Sequence, residues 1–322
     1  MTYRKKFIIL SSLIGCLLLV YILGTIFSPE RMLMRNAAYC WLESKAAENA
    51  RKIVLKNNDE TITLVKKSNA WFVLENDILY PAKQMRVEDL FSALTSRGTY
   101  AIRTNSASSH AGFGLNEENA ARITVFDNLN MPLLDLLIGL PDIIGQNVFL
   151  RKFNSNEVRS GDRKILTYTS GTNAAWYNYR FIPEIDDTKL NSANVQRLTV
   201  FPPALDGIST EPQIFSKKGR GWTFNKTDDA RLDKSSVDAY IQSLLFAEGN
   251  GFSEEIESTD PILDYRKIKI EFGTGLIKEI KISNVTEDKY YAATGTDFVY
   301  TLSSWMAERL FHDDEYFIKS AD

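Results

Sequence analysis

The chain has 322 residues, with 38 lysines and arginines against 41 carboxylates, and it holds only two histidines and two cysteines. Arg4, Lys5 and Lys6 precede an apolar run, so the residues beyond that run carry 35 cations against all 41 carboxylates, a net charge of −6. An acidic region of this kind argues against nucleic acid as a partner, because phosphates demand a basic surface.

The first predicted element is the apolar run from Phe7 to Phe27, which is 21 residues long and uncharged. As a helix it would extend about 31 Å, the thickness of the hydrocarbon core of a bilayer. We predict a single-pass transmembrane helix at residues 7–27, with residues 1–6 in the cytoplasm and the C-terminal part outside the inner membrane. A lipoprotein signal ending at Cys16 is the alternative, but such a signal normally turns polar where residues 17–27 stay apolar.

Residues 28–48 are predicted to form a helical stalk. Ser28 can cap this helix, and Pro29 suits its first position. An apolar stripe that includes Cys40 and Trp41 then falls on one side. We favour packing of this stripe on the chain's own ectodomain, with the membrane interface or a partner helix as alternatives. With Cys16 in the apolar run, Cys40 has no partner for an internal disulfide, and we expect a buried or half-buried thiol.

Residues 49–183 are predicted to alternate several strands with one helix, twice. The predicted strands are residues 52–55, 61–65, 71–74, 99–103, 134–138, 148–151 and 165–168, with one more around Ile123, and the predicted helices are residues 84–96 and 174–181. Strands joined by hairpins, with few helices between them, indicate an α+β fold rather than a doubly wound parallel sheet.

The polar residues 184–195 form a predicted linker to a second region, residues 196–322, with the same plan. Its predicted strands are residues 196–201, 213–217, 222–224, 267–272 and 298–302. Its first helix is predicted at residues 234–246 with Asp233 as the N-cap, and its second around Trp305. The residue before the helix of the first region is Lys83, a poor cap.

The second region repeats landmarks of the first in the same order, which predicts an internal duplication into two similar sheet-plus-helix domains. The paired landmarks are Trp71 with Trp222, Val87 with Val237, Ile123 with Ile268, Ile138 with Ile280, and Trp176 with Trp305. The offset between partners shrinks along the chain from 151 to 129 residues, as shorter loops in the second copy would produce.

The first region resembles a known bacterial family, catalogued as domain of unknown function 4340. The features that carry the resemblance are Trp71 after a strand, the helical stripe at residues 87–94, Phe113-Gly114-Leu115, the strand at Ile123 and Gly139 at a strand end. The resemblance covers roughly residues 50–182 and more faintly the second copy, where Ile262-Leu263 stands in for the aromatic-Gly-Leu element. It implies a membrane-anchored envelope protein, often found beside components of an ABC transporter like those linked to gliding motility. It brings no catalytic residues.

A search for catalytic chemistry starts from His110 and His312, the only histidines. They are far apart in sequence, so a zinc site built on two or three histidines is nearly excluded, and Cys40 alone cannot complete one. Ser109-His110 is adjacency rather than a catalytic triad, which needs a positioned third group. We therefore assign no catalytic, cofactor-binding or metal-binding residue, and we expect both histidines at the surface.

Four short motifs resemble ligand sites but lack a defining feature. Gly112-Phe113-Gly114 and Gly273-Thr274-Gly275 have neither the P-loop lysine nor the full dinucleotide pattern. The second of these lies between two alternating strands, where a hairpin turn is expected. Asp186-Asp187 and Asp228-Asp229 lack the spacing of a calcium loop.

The aromatic residues offer one tempting binding site. Trp71, Trp222, Trp176 and Trp305 could stack on sugars if they were exposed. However, each pair occupies matching positions beside apolar neighbours, and we predict that all four belong to the cores. Tyr290-Tyr291 and residues 177–179 would each leave one ring outward.

These observations favour a non-enzymatic, membrane-anchored accessory or scaffold protein of the bacterial cell envelope. It would contact lipid through residues 7–27 and bind proteins such as an ABC transporter permease or related envelope subunits; no cofactor is expected. The alternative is an envelope receptor for a glycan or peptide in a cleft between the two repeats. A hydrolase would require His110 to cluster with a carboxylate and with a serine or Cys40.

Overall fold

The computed structural model describes residues 14–21, 24, 39–57, 60–183, 191–201, 211–256, 266–286 and 289–319. Of the predicted transmembrane helix, residues 14–21 and 24 are described and are helical, and the rest of that prediction lies outside the described residues. Within these ranges, no helix has the length and apolar character that a membrane crossing requires.

Contacts divide the described residues into two compact units. Unit 1 ends at Trp176, while unit 2 begins at Tyr177 and also includes the segment Tyr80–Gln84. Each unit is built on one antiparallel sheet with few helices. The chain is therefore α+β, as predicted.

Residues 39–48 pack on unit 1. Only Ser44–Glu48 (α1) is helical in this segment, so the stalk helix predicted over residues 28–48 is wrong at residues 39–43. Trp41 is 3% exposed, and its backbone N–H donates to the carbonyl of Leu94 at 3.1 Å. The predicted packing on the chain's own domain is thereby confirmed for residues 39–48, and residues 28–38 of the predicted stalk lie outside the described residues.

Sheet 1 forms the framework of unit 1. Its strands are β1 (Lys52–Lys56), β2 (Thr61–Lys67), β3 (Ala70–Glu75), β4 (Ile78–Pro81), β5 (Ile102–Thr104), β6 (Ala121–Phe126), β7 (Pro132–Pro141), β8 (Asn147–Lys152) and β9 (Val158–Asp162). They lie in the order β4-β3-β2-β1-β6-β7-β8-β9-β5. Helix α2 (Gln84–Thr95) follows β4, and the short helix α3 (Leu166–Thr169) follows β9.

Alternation along the strands places one apolar face of sheet 1 under α2. In β1, Ile53 and Leu55 are buried while their neighbours are more exposed, the period-two pattern of a half-buried strand. The buried residues of α2 are Val87, Leu90 and Leu94. Their spacing of three and four residues gives the helix its apolar stripe, and beside it the ring of Phe91 meets that of Trp71 at 5.7 Å.

Sheet 2 forms the framework of unit 2. Its strands are β10 (Val195–Phe201), β11 (Gln213–Lys218), β12 (Gly221–Phe224), β13 (Gly251–Phe252), β14 (Arg266–Phe272), β15 (Ile277–Thr286), β16 (Lys289–Ala293) and β17 (Val299–Leu302). They lie in the order β12-β11-β10-β14-β15-β16-β17-β13. Helix α4 (Lys234–Leu245) covers its core face, which includes the stacked rings of Phe215 and Phe224, and α5 (Ser304–Glu308) follows β17.

The eight strands of sheet 2 occur in the same order as the eight strands of sheet 1 from β3 to β5, and α2 and α4 both have 12 residues. The registers also agree, because Lys66 pairs with Trp71 as Lys217 pairs with Trp222. Across the next ladder, Ile123 faces Leu136 and Ile268 faces Ile280. The counterpart of Ile280 is therefore Leu136, two residues from the predicted Ile138.

Two predicted elements near the end of unit 1 are wrong. The strand predicted at residues 165–168 is a 3₁₀ turn, Arg163–Ile165, that runs into α3, because the Asp162 side chain accepts a hydrogen bond from the Lys164 N–H and caps a helical turn. The helix predicted at residues 174–181 is only the 3₁₀ turn Asn173–Ala175.

Candidate functional site

A pocket of about 510 Å³ opens on unit 2 beside the C-terminal half of α4, α5 and the segment that contains His312. Its lining includes buried side chains from three parts of the unit, namely Tyr240, Leu302 and Leu310. Three aromatic side chains around the pocket are exposed to solvent: Trp305 at 61%, Phe246 at 46% and Tyr316 at 46%. The pocket therefore combines an apolar floor with an aromatic rim.

Small residues on α4 leave room for this pocket. The helix buries one stripe against the core, made of Val237, Tyr240, Ile241, Leu244 and Leu245. Ala239 and Ser243 lie beside that stripe and line the pocket. The Ser243 hydroxyl donates to the Tyr240 carbonyl at 2.7 Å, so its proton is already used within the helix. Larger side chains at these two positions would fill the opening.

Helix α5 presents Trp305 to solvent. The Ser303 hydroxyl accepts from the Met306 N–H at 3.4 Å and caps the helix. Arg309 follows Trp305 by four residues, and its guanidinium carbon lies 4.7 Å from the centre of the indole. The prediction that Trp305 belongs to the core is wrong, whereas Trp71, Trp176 and Trp222 are buried as predicted.

His312 lies in an aromatic group beside the pocket. Its ring stacks on Tyr316 with the ring centres 4.0 Å apart, and it meets Tyr240 edge-on at 5.1 Å. Burial lowers the pKa of His312 below its usual 6.5, the nearby charge of Arg309 lowers it further, and Asp313 opposes both. The imidazole is consequently mostly neutral at pH 7.

Three hydrogen bonds from two side chains hold this segment in place. The Tyr240 hydroxyl is fully buried and donates to the Leu310 carbonyl at 2.6 Å, and burial raises the pKa of this phenol. The Gln213 side-chain amide donates to the His312 carbonyl at 2.9 Å and to the Asp314 carboxylate at 2.7 Å. The segment that contains His312 is thus hydrogen-bonded to both α4 and β11.

This arrangement suits an apolar or aromatic group that enters between the rings. Arg309 adds one exposed cation next to Trp305, so an anionic neighbour of that group would be favoured. Trp, Tyr and Arg are the residue types that dominate the binding energy of protein interfaces.

Unit 1 has a pocket of about 500 Å³ at the matching place, beside α2 and the residues after β9. Asp89 and Ala239 are each the sixth residue of their helix, and Ser96 and Phe246 each follow their helix. The unit 1 pocket is lined by the polar side chains Asp89, Ser92, Ser96, Asp162 and Lys164, together with Trp41, Tyr100 and Tyr168. Both pockets therefore contain aromatic side chains, and they differ at two matching positions, where unit 1 has Asp89 and Ser96 and unit 2 has Ala239 and Phe246.

His110 and Cys40, which the sequence also singled out, have different hydrogen-bond partners in unit 1. His110 is half-exposed, and its Nε2 lies 3.2 Å from the Asn156 carbonyl oxygen. Cys40 is buried, as predicted; burial raises the pKa of its thiol, which donates to Glu43 at 3.3 Å. In the described part of the chain, no three His, Cys, Asp or Glu residues are placed to hold a metal ion.

The pattern that defines a family described as domain of unknown function (DUF4340) matches residues 71–262, which is more than half of the chain. The chain belongs to the DUF4340 family. Comparison with curated proteins gives no match. The matched region starts at Trp71 in β3, later than the predicted residue 50, and continues past α4 into the second region, where the resemblance was expected to be fainter.

The DUF4340 elements noted in the sequence have a packing role. The 3₁₀ turn Ala111–Phe113 ends at Gly114, whose φ of 68° lies in the left-handed region. Leu115 is then buried on the outer face of sheet 1 in a small cluster with Ala120, Leu137 and Val158. Gly139 in β7 lets this turn approach, because a Cβ there would collide with the Phe113 carbonyl oxygen. The Ile262-Leu263 element of the second copy lies outside the described residues.

Most residues around the unit 2 pocket were missed by sequence reasoning. Ala239 lies in α4 and Phe246 directly follows it, whereas Trp305 and Tyr316 come from later elements that no spacing in the sequence connects with α4. One signal was available, since Trp305 and Arg309 are four residues apart and so share one side of a helix. Gly273-Thr274-Gly275 is the turn between β14 and β15, with Gly275 at a φ of 83°, so the predicted hairpin turn is confirmed.

Proposed function

We propose that this DUF4340 member is a non-enzymatic accessory protein of the bacterial cell envelope. Residues 7–27 would anchor it in the inner membrane, with the two units on the extracytoplasmic side. Its units would bind protein partners of an ABC-type transport or motility system, such as a permease. The observation that supports the binding role is the aromatic rim of the unit 2 pocket, where Trp305, Tyr316 and Arg309 surround an apolar floor.

The proposal includes an internal duplication. It is supported by the shared strand order of the two sheets, by the equal length of α2 and α4, and by the matching registers of Trp71 and Trp222. Two copies of one scaffold can diverge in the pocket beside the helix while each core is kept. On this view the two pockets diverged in polarity, with Ala239 and Phe246 in unit 2 where unit 1 carries Asp89 and Ser96.

Co-purification tests the accessory role. The full chain, extracted with a mild detergent that preserves membrane complexes, should recover ABC permease or ATPase subunits identified by mass spectrometry. Trp305→Ala should strongly reduce that recovery, because truncation of a central aromatic anchor typically weakens an interface by about 2 kcal/mol or more. Met85→Ala is the matched control, since Met85 is a 72% exposed apolar residue on α2. Recovery of the chain alone, or equal loss in both variants, would contradict the proposal.

A second candidate is an envelope receptor for a glycan or peptide, and the exposure of Trp305 favours it. Of the five tryptophans, all within described ranges, Trp41, Trp71, Trp176 and Trp222 are buried and Trp305 is 61% exposed. Exposed indole rings stack on sugars and apolar groups. A ligand in the unit 2 pocket should therefore protect Trp305 from quenching by acrylamide, and Trp305→Phe should remove that signal. If no glycan or peptide in such panels changes the quenching of Trp305 fluorescence, the receptor function is contradicted.

A further inference from the structure

The strands of sheet 1 alternate in direction, so starts and ends of strands lie next to each other at each end of the sheet. At one end lie the start of β1, the end of β2, the end of β6, the start of β7 and the end of β8. The chain also arrives in unit 1 at this end. The ring of Tyr39 lies 3.9 Å from the guanidinium of Arg159 near the start of β9 and 5.6 Å from the ammonium of Lys152 at the end of β8. This end of sheet 1 is termed the tether end.

The turn between β6 and β7 holds two apolar side chains in solvent at the tether end. Leu129 is 76% exposed and Met131 is 60% exposed. The Asp127 carboxylate accepts hydrogen bonds from the N–H groups of both residues, at 2.9 and 2.8 Å. Asn130, with a φ of 58°, completes the turn. Hydrogen bonds within the turn thus fix its conformation, and they hold the side chains of Leu129 and Met131 at the surface.

Cations surround this apolar turn. The tether end carries Arg51, Lys52, Lys67 and Lys152, which are exposed or half-buried. The Arg51 N–H donates to the Phe126 carbonyl at 2.8 Å, which places Arg51 directly beside the turn. The nearby carboxylates are Asp127, which stays charged while it accepts the hydrogen bonds of the turn, Glu48, and Glu157, which pairs with Arg159 at 2.5 Å. With Arg159 included, five cations stand against three carboxylates at this end. The tether end is therefore positively charged, although the ectodomain sequence as a whole is acidic.

The length of the chain before unit 1 limits how far this end can be from the bilayer. Residues 28–38 separate the apolar run from Tyr39, which is eleven residues. Even a fully extended chain of this length reaches at most roughly 40 Å. If residues 7–27 span the membrane, the tether end stays within that distance of its surface.

We propose that the tether end of unit 1 docks on an anionic phospholipid surface. Leu129 and Met131 would enter the boundary between headgroups and acyl chains, and Arg51, Lys52 and Lys67 would face the lipid phosphates. This inference rests on the membrane anchor of the proposed function. It does not involve the unit 2 pocket.

The opposite end of sheet 1 provides a matched comparison within the same unit. The turn between β7 and β8 exposes Ile143 at 106% and Ile144 at 79%, so it is at least as apolar. Its charged neighbours are mixed, however: Lys56, Arg163 and Lys164 against Glu60, Asp77, Asp142 and Asp162. Apolar exposure is thus present at both ends, and the excess of cations is found at the tether end.

A depth measurement on the full chain tests the proposal. The chain is reconstituted into vesicles of phosphatidylcholine, with or without phosphatidylglycerol, in a background with Cys16→Ala and Cys40→Ala. A nitroxide is attached at Leu129→Cys or, as the control, at Ile144→Cys. In vesicles with phosphatidylglycerol, the label at 129 should gain accessibility to oxygen and lose accessibility to a water-soluble nickel complex. The label at 144 should stay aqueous.

Charge reversal sharpens the test. Lys52→Glu and Lys67→Glu should each lower the lipid-inserted fraction of the label at 129 by at least about fivefold, because removal of one basic residue near an anionic surface has an effect of that size and the new carboxylate adds repulsion. Flotation after an alkaline wash reports the anchor separately. A chain that floats while the label at 129 stays aqueous, or while the label at 144 enters the lipid instead, overturns the docking and leaves the anchor standing. A chain that does not float overturns both.

Discussion

Gly139 and Phe113 approach each other so closely that no side chain fits between them. A Cβ on Gly139 would collide with the Phe113 carbonyl oxygen and would lie 2.9 Å from Leu115 Cγ. This contact joins the turn before β6 to the middle of sheet 1 and closes the outer cluster around Leu115. Two elements that are 26 residues apart in sequence are therefore parts of one packing feature.

Gly139→Ala should destabilise unit 1. Because the backbone of β7 and the turn cannot both stay in place, the free energy of unfolding should fall by about 1–3 kcal/mol, as for other overpacked sites. Urea titration of the full chain in a mild detergent measures this. Gly112→Ala is the control, since a Cβ at Gly112 meets nothing within 4 Å, and it should change the stability by less than about 0.5 kcal/mol. Equal stability of the two variants would contradict the packing role.

The elements that could be predicted from sequence are those with a regular period. β1, β2 and β3 alternate, and α2 and α4 show apolar residues three and four apart, so their bounds were predicted within one or two residues. Strand β9 was missed because Val158–Asp162 has no alternation of apolar and polar residues. Its Gly161 is explained only by a distant contact, since a Cβ there would collide with the Leu150 side chain.

The end of each predicted repeat illustrates what sequence alone could not decide. Residue Ala82 bridges Tyr177, and Leu232, just before α4, bridges Ile318. The residues before these bridges, Trp176 and Phe317, are both fully buried, so Phe317 rather than Trp305 is the counterpart of Trp176. The sequence comparison paired Trp176 with Trp305 because both are tryptophans. The structural correspondence depends on backbone pairing, which no spacing in the sequence reveals.

Phe317→Ala should therefore destabilise the chain far more than Trp305→Ala. Phe317 contacts Phe215, Phe224 and Tyr240 in the core, and its truncation should cost about 3–5 kcal/mol. Trp305 is mostly exposed, so its truncation should change the free energy of unfolding by about 0.5 kcal/mol or less. Urea titrations of both variants check this. A large loss of stability in Trp305→Ala would show that the indole is part of the core.

His312 should make the stability of unit 2 depend on pH. Its pKa is lowered in the folded state, so the unfolded chain binds the proton more readily. The resulting stabilisation is fully present above the ordinary pKa of 6.5 and is lost as the pH falls towards the folded-state value. His312→Gln should flatten the change in melting temperature between about pH 8 and pH 5. His110→Gln leaves His312 in place and should keep the wild-type slope; a flattened slope in that variant would assign the effect elsewhere.

Asp233 should stabilise α4 in a pH-dependent way. Its carboxylate accepts hydrogen bonds from the side chains of Ser235 and Ser236 and from the Ser235 N–H at 3.0 Å, and these bonds lower its pKa below 3.8. The stabilisation is therefore present above pH 3.8 and disappears as the pH falls through the lower folded-state value.

Asp233→Ala should accordingly melt at a lower temperature than the wild type at neutral pH, and the difference should narrow in acid. Asp233→Asn keeps a side-chain oxygen that can cap the helix but cannot ionise, so it should retain part of the stability and lose the acid dependence. A melting temperature difference between Asp233→Ala and the wild type that stays constant down to about pH 2 would show that the ionised carboxylate does not contribute.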